Sequence, residues 1–149
     1  MSNVIDVARG VAQVLADAGV GDWNSAGNAP PTDQADPWIV FKEMPDVPDR
    51  CIVITCYVYA VMPGMAQDQF RVQIRCRGAA EDASDVDTIA DAAFTTLHGL
   101  TYAQFGGVLV NQMLQASSVP MGLDQNRRWE RSDNYVIDGT SQSTANRPQ

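Results

Sequence analysis

Residues Asp68–Gly78 read DQFRVQIRCRG, and their alternation decides how the rest of the chain folds around them. Phe70, Val72, Ile74 and Cys76 share one parity, and Arg71, Gln73, Arg75 and Arg77 share the other. A period of two belongs to a β-strand with one apolar and one polar face. The polar face is unusual, because three of the chain's ten basic residues fall within seven positions.

Outward from this strand the punctuation is clear. Cys51–Tyr59 (CIVITCYVY) is rich in β-branched and aromatic residues and predicts a second strand. Its faces, Ile52-Ile54-Cys56-Val58 and Val53-Thr55-Tyr57-Tyr59, are both apolar enough to predict cover on both sides. Trp38–Lys42 is a short β-like run, joined to Cys51 by the proline-bearing turn KEMPDVPDR. Beyond the arginine strand, Ser84–Leu97 carries Val86, Ile89, Ala90, Ala93, Phe94 and Leu97 at helical spacing, with Asp85, Asp87 and Asp91 off the stripe. Ser84 is the expected N-cap, and His98–Gly99 the expected stop. A first helix is expected over Val4–Ala18, its apolar stripe at positions 4, 5, 8, 11, 12 and 15 and its end at Gly19. Between the first helix and Trp38 lies a Gly/Pro/Asn-rich loop, 19–37, with Trp23 inside it. Phe105–Ser118 and Arg127–Ile137 predict two further strands joined by VPMGLDQN.

These elements add up to an α+β domain: two helices packed on one face of a mainly antiparallel sheet of about five strands. The domain is expected to span 1–139, with 140–149 as a polar tail. A chain of 149 residues suffices for one such core.

Composition narrows the function classes. Eighteen acidic residues against ten basic ones give a net charge of −8, which disfavours a dedicated nucleic-acid binder. No apolar run reaches the roughly 20 residues that span a bilayer. Three cysteines without a CxxC pair, and a single histidine, argue against a structural metal site. They predict buried free thiols. His98 at a helix end is a poor general base, and no phosphate loop or GxSxG occurs. Asp124 and Asn126 begin like a calcium loop, but Trp129 stands where the loop needs glycine and Tyr135 where it needs glutamate. No cofactor is expected.

The arginine row remains. With the helix on the apolar face, Arg71, Arg75 and Arg77 point away from it, and Asp85, Asp87 and Asp91 point away on the other side. One protomer would then offer a basic face and an acidic face, with no acidic partner for the arginines in reach. Contact between subunits, a solvated strand face with stems over Tyr57 and Tyr59, and phosphate binding all remain open. A slab with two such faces can pair them between neighbours, which favours the first, and the acidic balance disfavours the last.

The C-terminal stretch QMLQASSVPMGLDQNRRWERSDNYVI resembles the end of the tail terminator proteins of long-tailed bacteriophages, also described as minor capsid or head–tail connector proteins. The matching positions are Gly122, Asp124, Asn126, Trp129, Asn134 and Tyr135. FRVQIRCRG followed by an acidic linker and a helix ending HGL, and an N-terminal helix leading to a Gly/Pro-rich loop, resemble the same family. The resemblance implies a structural virion protein, not an enzyme. It implies a homo-hexameric ring at the neck of the particle, assembled in the host cytoplasm, which caps the tail tube protein and faces the head–tail connector or stopper. DNA would pass through it without sequence-specific binding, and no membrane is involved. Arg71, Arg75, Arg77, Asp85, Asp87 and Asp91 are then candidates for the subunit interface. Trp23, Arg127, Arg128, Trp129 and Arg131 are candidates for partner contact. Another neck component, a stopper or head-completion ring, is the alternative, and a small nucleic-acid-binding accessory domain a more distant one.

Overall fold

The computed structural model describes residues 3–24, 36–61 and 67–140. Helix α1 covers Asn3–Asp17, followed by β1 (Trp38–Phe41), β2 (Cys51–Val61) and β3 (Gln67–Arg77). Helix α2 (Asp85–Leu97) precedes β4 (Ala103–Phe105), β5 (Val108–Leu123) and β6 (Trp129–Thr140). The six strands form one sheet in the order β1-β2-β3-β6-β5-β4. All pairs are antiparallel except β1 with β2. The expected α+β architecture therefore holds, with one more strand than the sequence predicts. The extra strand is Ala103–Phe105, just ahead of the predicted run: Gly106, at φ +57, turns the chain between Phe105 and Val108 and makes the hairpin β4–β5.

The opening alternation places β3 at the centre. Its apolar parity sits opposite Cys56, Ile54 and Ile52 of β2, and Tyr135 and Ile137 of β6, in direct register. Phe70, Val72, Ile74 and Cys76 are all essentially buried. Val86, Ile89, Ala90, Ala93 and Leu97 of α2 pack on this face, together with Val7, Val11, Ala12 and Leu15 of α1, in one core. At roughly 1.5–3 kcal/mol for each large aliphatic side chain buried, this stripe holds α2 to the sheet.

Two local readings change. The α1 stripe is turned so that Val7 is buried and Ile5 is half exposed, since the helix must also bring Gly10 against Phe105 of β4. A Cβ at Gly10 would overlap the Phe105 ring, so only glycine lets the helix approach this closely. The N-terminus of α2 is capped by Asp82 rather than Ser84. Asp82 Oδ1 accepts the backbone N–H of Ser84 at 3.1 Å and of Asp85 at 3.2 Å, while Ser84 makes no side-chain cap bond. A carboxylate suits that end because it meets the helix dipole as well as the free N–H groups. At the other end Gly99 takes φ +87 as expected. The His98 ring stacks on Phe94 and its Nδ1 accepts the backbone N–H of Gln115 on β5 at 3.0 Å. The three cysteines are free and buried, as the spacing predicts.

Candidate assembly interface

Both helices lie on one side of the sheet, so the other side has no covering layer among the described residues. This open face runs from Tyr57 and Thr55 on β2, across Arg71, Gln73 and Arg75 on β3 and Val136 and Asn134 on β6, to Leu114 and Ser117 on β5. The expectation that both faces of β2 are covered is corrected here. Val53 is buried, but Tyr57 is 49% and Tyr59 59% exposed.

The arginine row divides into three different roles. Arg77 is withdrawn from the surface, at 3% exposure, and donates to backbone carbonyls of the 42–50 turn: Asp49 O at 2.7 Å from Nε and Pro48 O at 2.6 Å from Nη2. Arg75 pairs with Glu130 on the adjacent strand, Nη2 to Oε1 at 2.6 Å. The expectation that the arginines lack an acidic partner in reach is therefore overturned for Arg75, and its outward exposure for Arg77. Both corrections come from β6 and the β1–β2 turn, which the register of β3 alone does not reveal. Arg71 is the exception. Its guanidinium lies 4.1 Å from the centroid of the Tyr59 ring, and its buried Nε has no hydrogen-bond partner among the described residues. A cation–π contact is worth about 0.5–1 kcal/mol at exposed sites, and it leaves the guanidinium's donors unused.

The α2 aspartates do not meet Arg71, Arg75 or Arg77, as the two-face reading requires, but they are not free either. Asp85 forms a two-point pair with Arg50, Nε–Oδ2 2.9 Å and Nη2–Oδ1 3.2 Å. Asp87 and Asp91 both accept from Arg131 Nη1, at 3.1 and 3.0 Å. The same guanidinium grips Asp133 through Nε at 2.9 Å and Nη2 at 3.1 Å. Burial alone would lower the Arg131 pKa; the carboxylates around it outweigh this and raise it. Arg131 thus ties α2 to β6.

Arg128, only 4% exposed, makes the other internal clamp. Its Nε donates to Asp124 Oδ2 at 2.8 Å and its Nη1 to Asp49 Oδ1 at 3.1 Å and Asp46 O at 2.5 Å. Asp124 also accepts the backbone N–H groups of Asn126 and Arg128, both at 2.9 Å, and so closes the β5–β6 turn. This role accounts for Asp124 where a calcium loop does not, Asn126 contributing its backbone N–H. Trp129 is partly buried against the core, and Trp23 likewise, edge-on to Phe41 with 6.1 Å between ring centroids. Arg127 alone of the C-terminal basic cluster is well exposed, paired with Glu81 at 2.6 Å. Arg128 and Arg131, two of the expected partner contacts, hold the β5–β6 turn and α2 within the chain. The rest of the 19–37 loop from position 25 to 35, and the tail beyond 140, lie outside the described residues.

A profile of the bacteriophage tail terminator protein family matches residues 14–141. The chain belongs to that family. It is a structural, non-enzymatic phage protein, and it works as a virion component. The terminator fold also recurs in a chain from the virion of a native gene transfer agent particle, with a TM-score of 0.65 at 13% identity, over 93% of this chain and 98% of that one. No curated protein matches the terminator sequence. The match starts inside α1 and ends just past β6, so it takes in the sheet, α2 and the Arg128 and Arg131 clamps.

Proposed function

We propose that the protein assembles as a hexameric ring at the neck of the particle, ends the tail tube there, and offers its other surface to the head–tail connector. Family membership over residues 14–141 carries this reading. Within the ring, the open face of the sheet is the surface assigned to the neighbouring subunit. It is a wide apolar-and-polar layer with Tyr57 and Tyr59 exposed, and Arg71, which has no carboxylate partner among the described residues, calls for an acceptor. Tyrosine and arginine are the residues that most often anchor interfaces.

Repeated six times, a net charge of −8 makes an acidic ring. Such a channel repels phosphates and lets DNA pass without adhering, over a range of about 8 Å at physiological salt. The dispersal of the basic residues fits this, since Arg50, Arg75, Arg127, Arg128 and Arg131 are all neutralised by carboxylates of the same chain.

The function is tested by adding the purified protein to a polymerising tail tube protein and measuring tube lengths by electron microscopy. Shorter tubes with a ring at one end are expected. An unchanged length distribution and bare ends at saturating protein would rule the reading out.

A further inference from the structure

Strand β1 covers only part of the outer edge of β2. It pairs with Cys51–Ile54 and then turns away at Lys42, which adopts φ +70. From Thr55 to Val61 the outer edge of β2 has no partner strand among the described residues. The carbonyl of Ile54 still takes the Lys42 N–H at 3.0 Å. By the two-residue alternation, the next outward backbone groups belong to Cys56 and Val58. Where β1 departs it also opens a cavity of about 150 Å³ between β2 and α1. Ile5, Ala8, Phe41 and Cys56 give it apolar walls, with Arg9 and Lys42 at its margin.

Those two cations are distinctive. Both are exposed, and neither has a carboxylate partner among the described residues, whereas most of the other arginines do. An open strand edge, an apolar hole beside it and two unpaired cations at the rim make a receptor for one kind of ligand. The edge takes backbone hydrogen bonds, the hole takes one apolar side chain, and the cations take flanking carboxylates.

Among the described residues, no free strand edge of a second copy carries a carboxylate. The free edge of β2 in another copy would bring the same two cations together. The outer edge of β5 carries no charged residue, is interrupted by three register shifts, and contains Pro120, which lacks an N–H. The outer edge of β1 is already bridged by Asp22. We infer that the β2 edge and its groove dock an extended acidic segment of a different protein, added to the sheet as a further strand.

The inference does not depend on the number of subunits and is tested on the purified protein alone. The probes are two acetylated hexapeptides, one alternating glutamate with valine and one alternating lysine with valine, titrated in two-dimensional amide NMR. The glutamate peptide is expected to bind, with shifts centred on Cys56–Tyr59, and the lysine peptide to leave those amides unmoved. Arg9→Glu with Lys42→Glu should weaken binding about tenfold or more, because two attractions become repulsions. Val58→Pro, which deletes an outward donor, should abolish it in a protein whose circular dichroism is unchanged. Equal binding of both peptides, no binding of the glutamate peptide, or insensitivity to the charge reversal would overturn the proposal. So would a change in oligomeric state in the Arg9→Glu/Lys42→Glu protein, which would make the groove a contact between copies.

Discussion

Asp124 shows how one side chain can fix a turn. Its carboxylate accepts from two backbone N–H groups and from a guanidinium that is almost wholly buried. Burial by itself would raise its pKa, but those donors outweigh it and the net direction is down. A folded pKa below the unfolded value of about 3.9 contributes stability that is complete above that value and disappears as pH falls through the folded one. Asp124→Asn should therefore cost about 1.5–3 kcal/mol at pH 7, the worth of hydrogen bonds to a charged group. In urea melts the gap between the two proteins should close as pH drops below about 4. A gap that persists unchanged at pH 2 would mean that Asp124 acts by shape and not by charge.

Among the elements, α2 shows what was legible in the sequence and what was not. Its stripe, from Val86 to Leu97, is a local pattern with a period, and the helix lies where that pattern puts it. The cap moved to Asp82 because two residue types compete within one turn, and the carboxylate makes the better acceptor. The partner of Asp87 and Asp91 was hidden for a different reason. Arg131 is 40 or more residues away in sequence, and nothing in a period of two or 3.6 reports which strand lies under a helix. The same holds for Arg75 with Glu130 and for Arg77 with the 42–50 turn. Strand parity identified their face correctly but not the neighbours across it. The β4–β5 turn is marked in the sequence by Gly106–Gly107, inside the predicted 105–118 strand, but β4, three residues long, is too short to show a period.

Arg131 therefore makes a prediction about an element rather than a site. Removing it leaves Asp133, with a side chain 2% exposed, charged and unpaired beneath α2. Arg131→Ala should cost about 3–5 kcal/mol in urea unfolding, the usual loss when one partner of a buried pair is deleted. Asp87→Asn removes only an outer contact, 61% exposed, and should cost no more than about 1 kcal/mol. Similar losses for the two variants would show that the buried Asp133 pair does not dominate.

For the whole molecule, the open face is the surface through which the protein is proposed to meet its neighbours. Of the three arginines of β3, only Arg71 is without a carboxylate or carbonyl partner among the described residues, half-buried on this face with its Nε unsatisfied. Arg77→Glu would disturb the 42–50 turn and Arg75→Glu would face Glu130, so neither change reads the interface cleanly. Arg71→Glu does, because Arg71 contributes only a ring contact within the protomer. The decisive measurement is native mass spectrometry of the wild-type and Arg71→Glu proteins, each with tail tube ends present. The account predicts a ring of six for the wild type and, for Arg71→Glu, a monomer with the circular dichroism of the wild type, destabilised by no more than about 1 kcal/mol through the lost ring contact. Six-membered rings formed equally by both proteins, or no rings from either, would contradict it.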